Sequence, residues 1–450
     1  MKQIIAKKEL TVAPEDYSLL TDLYQLTMAA CYMGEGIASK QASFELFVRR
    51  LPNDFGYLIA MGLAQALEYL EQLQFTDAQI AALQDTNIFK NAPSSFWSLL
   101  KEMSFTGNVY AVPEGTAIFP NEPILRIEAP LWQAQLVETY LLNTINYQTL
   151  IATKAARIRD VAGKSAKILE FGTRRAFSPQ GAVWAARAAL AAGFDGTSNV
   201  LAALKLGEQP KGTMAHALVM AISALSGSED AAFQAFHNYF PGASLLIDTY
   251  DTVAAATRLQ QQVAKGEMSL TGVRIDSGDL VELSQKVRSR LPEIEIFASG
   301  DLDEEKIADL KQAGATIDGY GIGTKLVTGE PVNGVYKLVE IDNIPTMKKS
   351  QSKATYPGCK QIFRSFNKGK IQQDRLGLAR EEAKNGEQGL LQLVMKEGKT
   401  IIESETTATI RQRTADTIAS LPVEVRQINH PVSIPVNISD DLQELRDSIH

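Results

Sequence analysis

Hydrophobic residues recur along this chain with two periods, and the switches between them outline its elements. Residues 42–48 (Ala-Ser-Phe-Glu-Leu-Phe-Val) alternate as a half-buried strand, whereas residues 62–73 place Leu63, Ala66, Leu67 and Leu70 on one helical face. An earlier helix is predicted from residues 19–28, with Thr21 or Asp22 as its cap and Tyr24 one turn in. Residues 108–128 read as short strands interrupted by Pro113, Gly115, Pro120 and Pro123. From Leu131 to about Val161 no proline or glycine occurs, and Leu136, Tyr140, Tyr147, Ile151 and Ile158 fall near one face, which predicts a long helix joining two domains.

Beyond it, short apolar runs alternate with helical segments at 178–192, 199–206, 229–239, 251–265, 279–290 and 303–313. Such alternation predicts a parallel sheet. Seven apolar runs lead into polar turns: Glu170–Phe171–Gly172–Thr173–Arg174–Arg175, Asp195–Gly196–Thr197–Ser198–Asn199, Gly212–Thr213–Met214–Ala215–His216, Asp248–Thr249–Tyr250–Asp251, Arg274–Ile275–Asp276–Ser277–Gly278–Asp279, Ser299–Gly300–Asp301 and Gly321–Ile322–Gly323–Thr324. Polar clusters after so many strands favour an irregular TIM-like α/β barrel, which builds its active site at the carboxyl ends of its strands, over an open doubly wound sheet. After Val339 the periodicity fades into a loop in which Lys348, Lys349, Lys353 and Lys360 surround Tyr356–Pro357–Gly358. Strands at 392–395 and 400–403 and two polar helices, the last capped by Ser439, are too few to form a core alone. The expected organisation is an N-terminal α/β domain at 1–143 completed by 356–450, with the barrel at 144–355.

Composition narrows the chemistry. Among 450 residues, 45 basic and 52 acidic side chains give a net charge of −7, which argues against nucleic acid or an anionic membrane as the main partner. Anionic ligands must then meet local basic clusters. Only Cys31 and Cys359 are present, with histidines at 216, 237, 430 and 450, so neither a disulfide framework nor a zinc cluster is indicated. No apolar run suits a signal peptide or approaches the roughly 20 residues of a membrane span, and a cytoplasmic protein is expected.

Two familiar phosphate motifs fail. Gly163–Lys164–Ser165 lacks the first glycine of a P-loop, since position 158 is Ile158, and Gly319, Gly321 and Gly323 lack the third glycine of a dinucleotide fingerprint. What remains is the set of strand-end clusters. Arg174 and Arg175 could be solvated, yet adjacent cations at a helix start are unfavourable unless an anion sits between them. Gly300 and Gly323 could serve only as turn residues, or could expose N–H groups to a phosphate. Asp276 and Asp279 read equally as an N-cap and a first-turn acid of the following helix or as a pair that holds Mg²⁺ through water or binds sugar hydroxyls. A lone His216 is more often structural, and Tyr24 more often core.

Taken in order, these seven motifs together with Asp22–Leu23–Tyr24–Gln25 resemble the nicotinate phosphoribosyltransferase family, of type II phosphoribosyltransferases, over nearly the whole chain. The resemblance implies an α/β barrel and a homodimer whose active sites borrow residues from the partner. It also implies a reaction that joins nicotinate to 5-phosphoribosyl-1-diphosphate, giving nicotinate mononucleotide and diphosphate in NAD salvage. ATP hydrolysis would be coupled through phosphorylated His216, with Mg²⁺ carried on the diphosphate. By the same resemblance, Arg174 and Arg274 meet the nicotinate carboxylate and the diphosphate without a division of roles, and Phe171 and the partner copy's Tyr24 sandwich the pyridine ring. Asp276, with Ser277 and Asp279, attends the ribose or Mg–diphosphate; Thr197 and Ser198 line the substrate site; Ser299, Gly300, Gly323 and Thr324 cradle the 5′-phosphate. The related nicotinamide enzyme carries an aspartate near Ser198, where a carboxylate would repel nicotinate. A barrel lyase using Lys325 as a Schiff-base nucleophile, or a non-catalytic binding barrel, are the rival expectations.

Overall fold

In the computed structural model, which describes residues 10–349 and 355–449, the strand Gln41–Phe47 pairs antiparallel with Pro123–Pro130 on one side and Val335–Ile341 on the other. These belong to a seven-stranded sheet that continues through Asn108–Ala111 to Gln392–Lys396. The expected half-buried alternation of residues 42–48 is lost, because both faces of the strand are covered. Its polar members are accommodated by pairing: Glu45 sits at 0% exposure, with Oε1 accepting the Lys360 N–H at 2.9 Å and Oε2 lying 2.8 Å from Lys360 Nζ. The predicted long helix is two helices, Leu131–Leu136 and Glu138–Ala162. No proline or glycine marks the break; every residue of the shorter helix is buried, so packing against the sheet decides it.

The chain divides into two compact units: the described residues of Met1–Leu150, Pro331–Thr406 and Asp416–His450, and those of Ile151–Glu330 with Thr407–Ala415. The pairing of Val335–Ile341 with Gln41–Phe47 places that strand in the first unit, not in a barrel domain running to 355. Lys353 lies outside the described residues.

The second unit is built on a six-stranded parallel sheet in the order Gly196–Thr197, Lys167–Glu170, Gly319–Ile322, Glu295–Ala298, Gly272–Ile275, Leu245–Leu246. Helices fall close to the predicted spans, at Pro179–Ala191, Val200–Lys205, Glu229–Tyr239, Thr252–Ala264, Leu280–Arg290 and Glu304–Gln312. Strand–helix alternation is thus observed, but the hydrogen-bonded sheet does not close on itself among the described residues. Between its two short edge strands the described residues supply no strand. Residues 208–215 cross there with a single ladder-like bond, Lys211 N–H to Thr197 O at 2.8 Å, and Pro210 has no N–H to add another. Of the seven predicted strand-to-turn junctions, the one at Gly212–His216 is therefore preceded by no strand and leads directly into the helix His216–Ser226.

Candidate active site

Parallel strands end in register, so the turns that follow them gather along one edge of the sheet. An open cavity of about 800 Å³ lies there, lined by Phe171, Arg174, Arg175, Arg274, Asp276, Ser277, Asp279, Ser299, Gly300, Gly323 and Thr324, all in the second unit. The cavity thus brings together residues from separate strand ends that lie far apart in the chain.

Two glycines are required by contact. A Cβ on Gly321 would approach the Phe171 ring to 2.5 Å, so glycine leaves room for that ring against the strand. Gly300 adopts φ +94°, and a Cβ there would stand 2.1 Å from the Asp276 carbonyl.

Arg274 organises the polar wall. Its Nη1 donates to Asp276 Oδ1 at 3.1 Å and Ser299 Oγ at 3.0 Å, Nη2 to the Met214 carbonyl at 2.7 Å, and Nε to Thr213 Oγ1 at 3.2 Å. Burial lowers its pKa, with Asp276 and Asp248 opposing that effect and Arg174 adding to it. Its Cζ lies 6.0 Å from the Phe171 ring centroid. The Ser299 hydroxyl also donates to Asp276 Oδ1.

Asp279 turns its carboxylate to its own helix, where Oδ1 accepts Val281 N–H at 3.0 Å and Glu282 N–H at 3.1 Å. The capping role fits it better than metal binding. Among the described residues no cluster of three or more His, Cys, Asp or Glu could hold a metal ion.

His216 opens the helix His216–Ser226, and its Nδ1 lies 3.1 Å from Thr249 Oγ1. Its Nε2 is 4.0 Å from Asp248 Oδ1, a buried oxygen with no hydrogen-bond partner among the described residues. Asp248 Oδ2 accepts the Asp276 N–H at 2.9 Å and the Ser277 hydroxyl at 2.6 Å. His216 is thus not on the cavity wall but one carboxylate away from it.

Four more residues singled out from the sequence lie off the wall. Thr197 is 1% exposed, and its hydroxyl donates to Glu170. Ser198 is half-buried in the adjoining turn. Tyr24 belongs to the first unit, 46% exposed, with its hydroxyl 3.3 Å from Glu138 Oε2. Lys325, the nucleophile of the lyase reading, is also off the wall, and its Nζ sits 3.3 Å from Asp303 Oδ2.

Sequence reasoning passed over Lys306, and it placed Asp301 and Asp248 in strand-end clusters without giving either a role; Lys306 and Asp301 line the cavity. Lys306 left a legible signal: it stands in the first turn of Glu304–Gln312, where the helix dipole disfavours a cation unless an anion is near. Asp301 adopts φ +49°, which no spacing rule reveals.

A parallel sheet whose carboxyl edge collects three arginines, a lysine and glycine turns in one basin defines an α/β enzyme acting on a phosphate-bearing anion. Comparison with known proteins sharpens the class. Residues 19–146, 166–361 and 384–446 match models of the nicotinate phosphoribosyltransferase N-terminal domain, family and C-terminal domain. The chain is 40% identical to nicotinate phosphoribosyltransferase of Bacillus subtilis, across 95% of this chain and 94% of that protein. It is 39% identical to nicotinate phosphoribosyltransferase pncB2 of Mycobacterium tuberculosis, with the same coverage of 95% and 94%. The crystal structure of human nicotinic acid phosphoribosyltransferase superposes with a TM-score of 0.84 at 29% identity, covering 96% of this chain and all of that one. The chain belongs to the nicotinate phosphoribosyltransferase family. No helix among the described residues is long and apolar enough to cross a membrane.

Proposed function

We propose that the chain joins nicotinate to 5-phosphoribosyl-1-diphosphate, releasing diphosphate and forming nicotinate mononucleotide for NAD salvage in the cytoplasm. The observation that carries this reading is the meeting of Arg174, Arg274, Asp276, Gly300 and Gly323 on one cavity wall. The pyridine nitrogen attacks C1 of the ribose, and the C1–O bond breaks with its electron pair leaving on diphosphate. No proton moves, so the site needs alignment and charge stabilisation, not a strong base.

Ser299, Gly300, Gly323 and Thr324 suit the 5′-phosphate, as hydroxyls and backbone N–H groups at strand ends. Arg174 and Arg274 serve the carboxylate and the diphosphate, and Phe171 offers a face to the pyridine ring. Tyr24 of a second copy is assigned to the opposite face, in a homodimer with shared sites. The sheet and the crossing segment 208–215 together would make the irregular barrel of the family.

Mg²⁺ bound to the diphosphate would offset its charge as it leaves. The residues fit a metal that arrives with the substrate: Asp279 is engaged in capping and Asp276 is shared with Arg274 and Ser299, so the chain offers few ligands of its own. ATP coupling is assigned to His216, beside the buried Asp248 that also holds the Asp276 turn. Incubation with ATP and Mg²⁺ should place acid-labile phosphate on the wild type and none on His216→Ala. Initial rates should be higher with nicotinate than with nicotinamide; a clear preference for the amide would replace this reading with the nicotinamide one, against the indication of Ser198.

A further inference from the structure

Glu170 ends the strand Lys167–Glu170 at 0% exposure, and burial pushes its carboxyl above the usual carboxylate range. A carboxylate in that position is costly unless each oxygen is met by a donor. Here both are: Oε1 accepts the Gly172 N–H, and Oε2 accepts the Thr197 hydroxyl at 2.5 Å. The Thr197 oxygen in turn accepts the Asn199 N–H at 2.9 Å, and the Glu170 carbonyl accepts the Ser198 N–H at 2.9 Å. One side chain therefore ties two turns together, residues 171–175 with Phe171 and Arg174, and residues 197–199 with Ser198. The joint has little slack. A Cβ on Gly172 would stand 2.9 Å from Glu170 Oε1 and 2.2 Å from Val327 Cγ1.

We propose that Glu170, acting through Thr197, is a positioning residue that sets the separation between the Phe171–Arg174 turn and Ser198, and with it the seat of the carboxylate-bearing heteroaromatic substrate. This rests on the nicotinate reading above. Neither Glu170 nor Thr197 lines the cavity, so each acts on the ligand only through the turns it joins. Glutamine can reproduce the joint without charge, its amide oxygen accepting from Gly172 while its NH₂ donates to Thr197 Oγ1; leucine fills the volume and supplies neither bond.

The test is a steady-state comparison of the full-length wild type, Glu170→Leu, Glu170→Gln and Thr197→Val with both substrates, ATP and Mg²⁺. Loss of one buried hydrogen bond predicts that Thr197→Val raises the KM for nicotinate about tenfold, and loss of both that Glu170→Leu raises it at least as much, each leaving the KM for 5-phosphoribosyl-1-diphosphate within about twofold. Glu170→Gln should restore the nicotinate KM to within about threefold of wild type. A purely structural role would lower the concentration of active enzyme and leave both KM values alone, and that result overturns the proposal; so does a Glu170→Gln variant as impaired as Glu170→Leu. Should Glu170→Leu fail to fold, Thr197→Val removes the other end of the same joint and is read by the same criteria. If the wild type itself does not consume nicotinate, the functional reading falls, and amide exchange of residues 171–176 in ligand-free protein still decides on Glu170. Faster exchange in Glu170→Leu and Thr197→Val than in wild type and Glu170→Gln supports it; equal exchange in all four overturns it.

Discussion

The Arg274 guanidinium donates to acceptors from three separate segments, at Thr213 and Met214, at Asp276, and at Ser299. A lysine carries the same charge but cannot reach several acceptors with one planar fork. Arg274→Lys is therefore expected to lower kcat/KM by roughly a hundredfold and also to lower the thermal midpoint, because two to three charge-assisted bonds made within the protein are lost. Steady-state kinetics beside a melting curve checks both halves. A second residue-scale prediction concerns the first unit. Glu122 is buried at 0% exposure beside Asp374, whose carboxylate is gripped by Arg364 at 2.9 and 2.6 Å. Burial first, and then the Asp374 charge, raises the Glu122 carboxyl well above its ordinary range. A raised native pKa contributes stability that is complete below the unfolded value of about 4.3 and is lost as pH climbs through the native value. Glu122→Gln should accordingly leave the thermal midpoint unchanged near pH 4 and raise it at pH 7 to 8, flattening the pH profile measured by calorimetry.

At the scale of elements, the turns after strands carry the site, and their backbone is shaped by contacts that no local pattern encodes. Gly300→Ala would force a Cβ at φ +94° to within 2.1 Å of the Asp276 carbonyl. The expected cost is about 1 to 3 kcal/mol of stability from the backbone conformation alone, together with a higher KM for 5-phosphoribosyl-1-diphosphate, read from urea unfolding and initial rates. Helix starts were more legible than turns. Asp251, Asp279 and Asp303 each follow a strand-end cluster, and each caps the next helix by accepting a backbone N–H near 3 Å. Asn199 does the same for Val200–Lys205, and Asn199→Ala should lower stability by about 1 kcal/mol in the same unfolding assay. Spacing suggests an N-cap and a first-turn acid for the pair Asp276 and Asp279; the structure makes Asp279 the cap and places Asp276 against Arg274 and Ser299 instead.

Across the whole molecule, the second unit recruits a short piece of chain from far along the sequence. Arg411, on the helix Thr407–Ser420, bonds Asp195 Oδ1 at 2.6 Å, and Thr414 donates to the Ala191 carbonyl at 3.1 Å. Burial works to raise the Asp195 carboxyl, yet the Ile168 N–H, Arg411 and Arg159 together hold it below its ordinary range. Because Arg411 is 41% exposed, Arg411→Ala should lower stability by only about 1 kcal/mol, seen as a lower urea midpoint. The amino-acid sequence by itself determined the alternation of strands and helices in that unit, the helix caps and the residue types at the strand ends, because these depend on neighbours within a few positions. Only the tertiary structure decided that the sheet stays open between Gly196–Thr197 and Leu245–Leu246, that Thr197 faces inward to Glu170 while Lys306 faces the cavity, and that Val335–Ile341 pairs with Gln41–Phe47. Those outcomes depend on which of several compatible partners packs against each element, a choice made by burial and hydrogen-bond satisfaction over long separations in the chain.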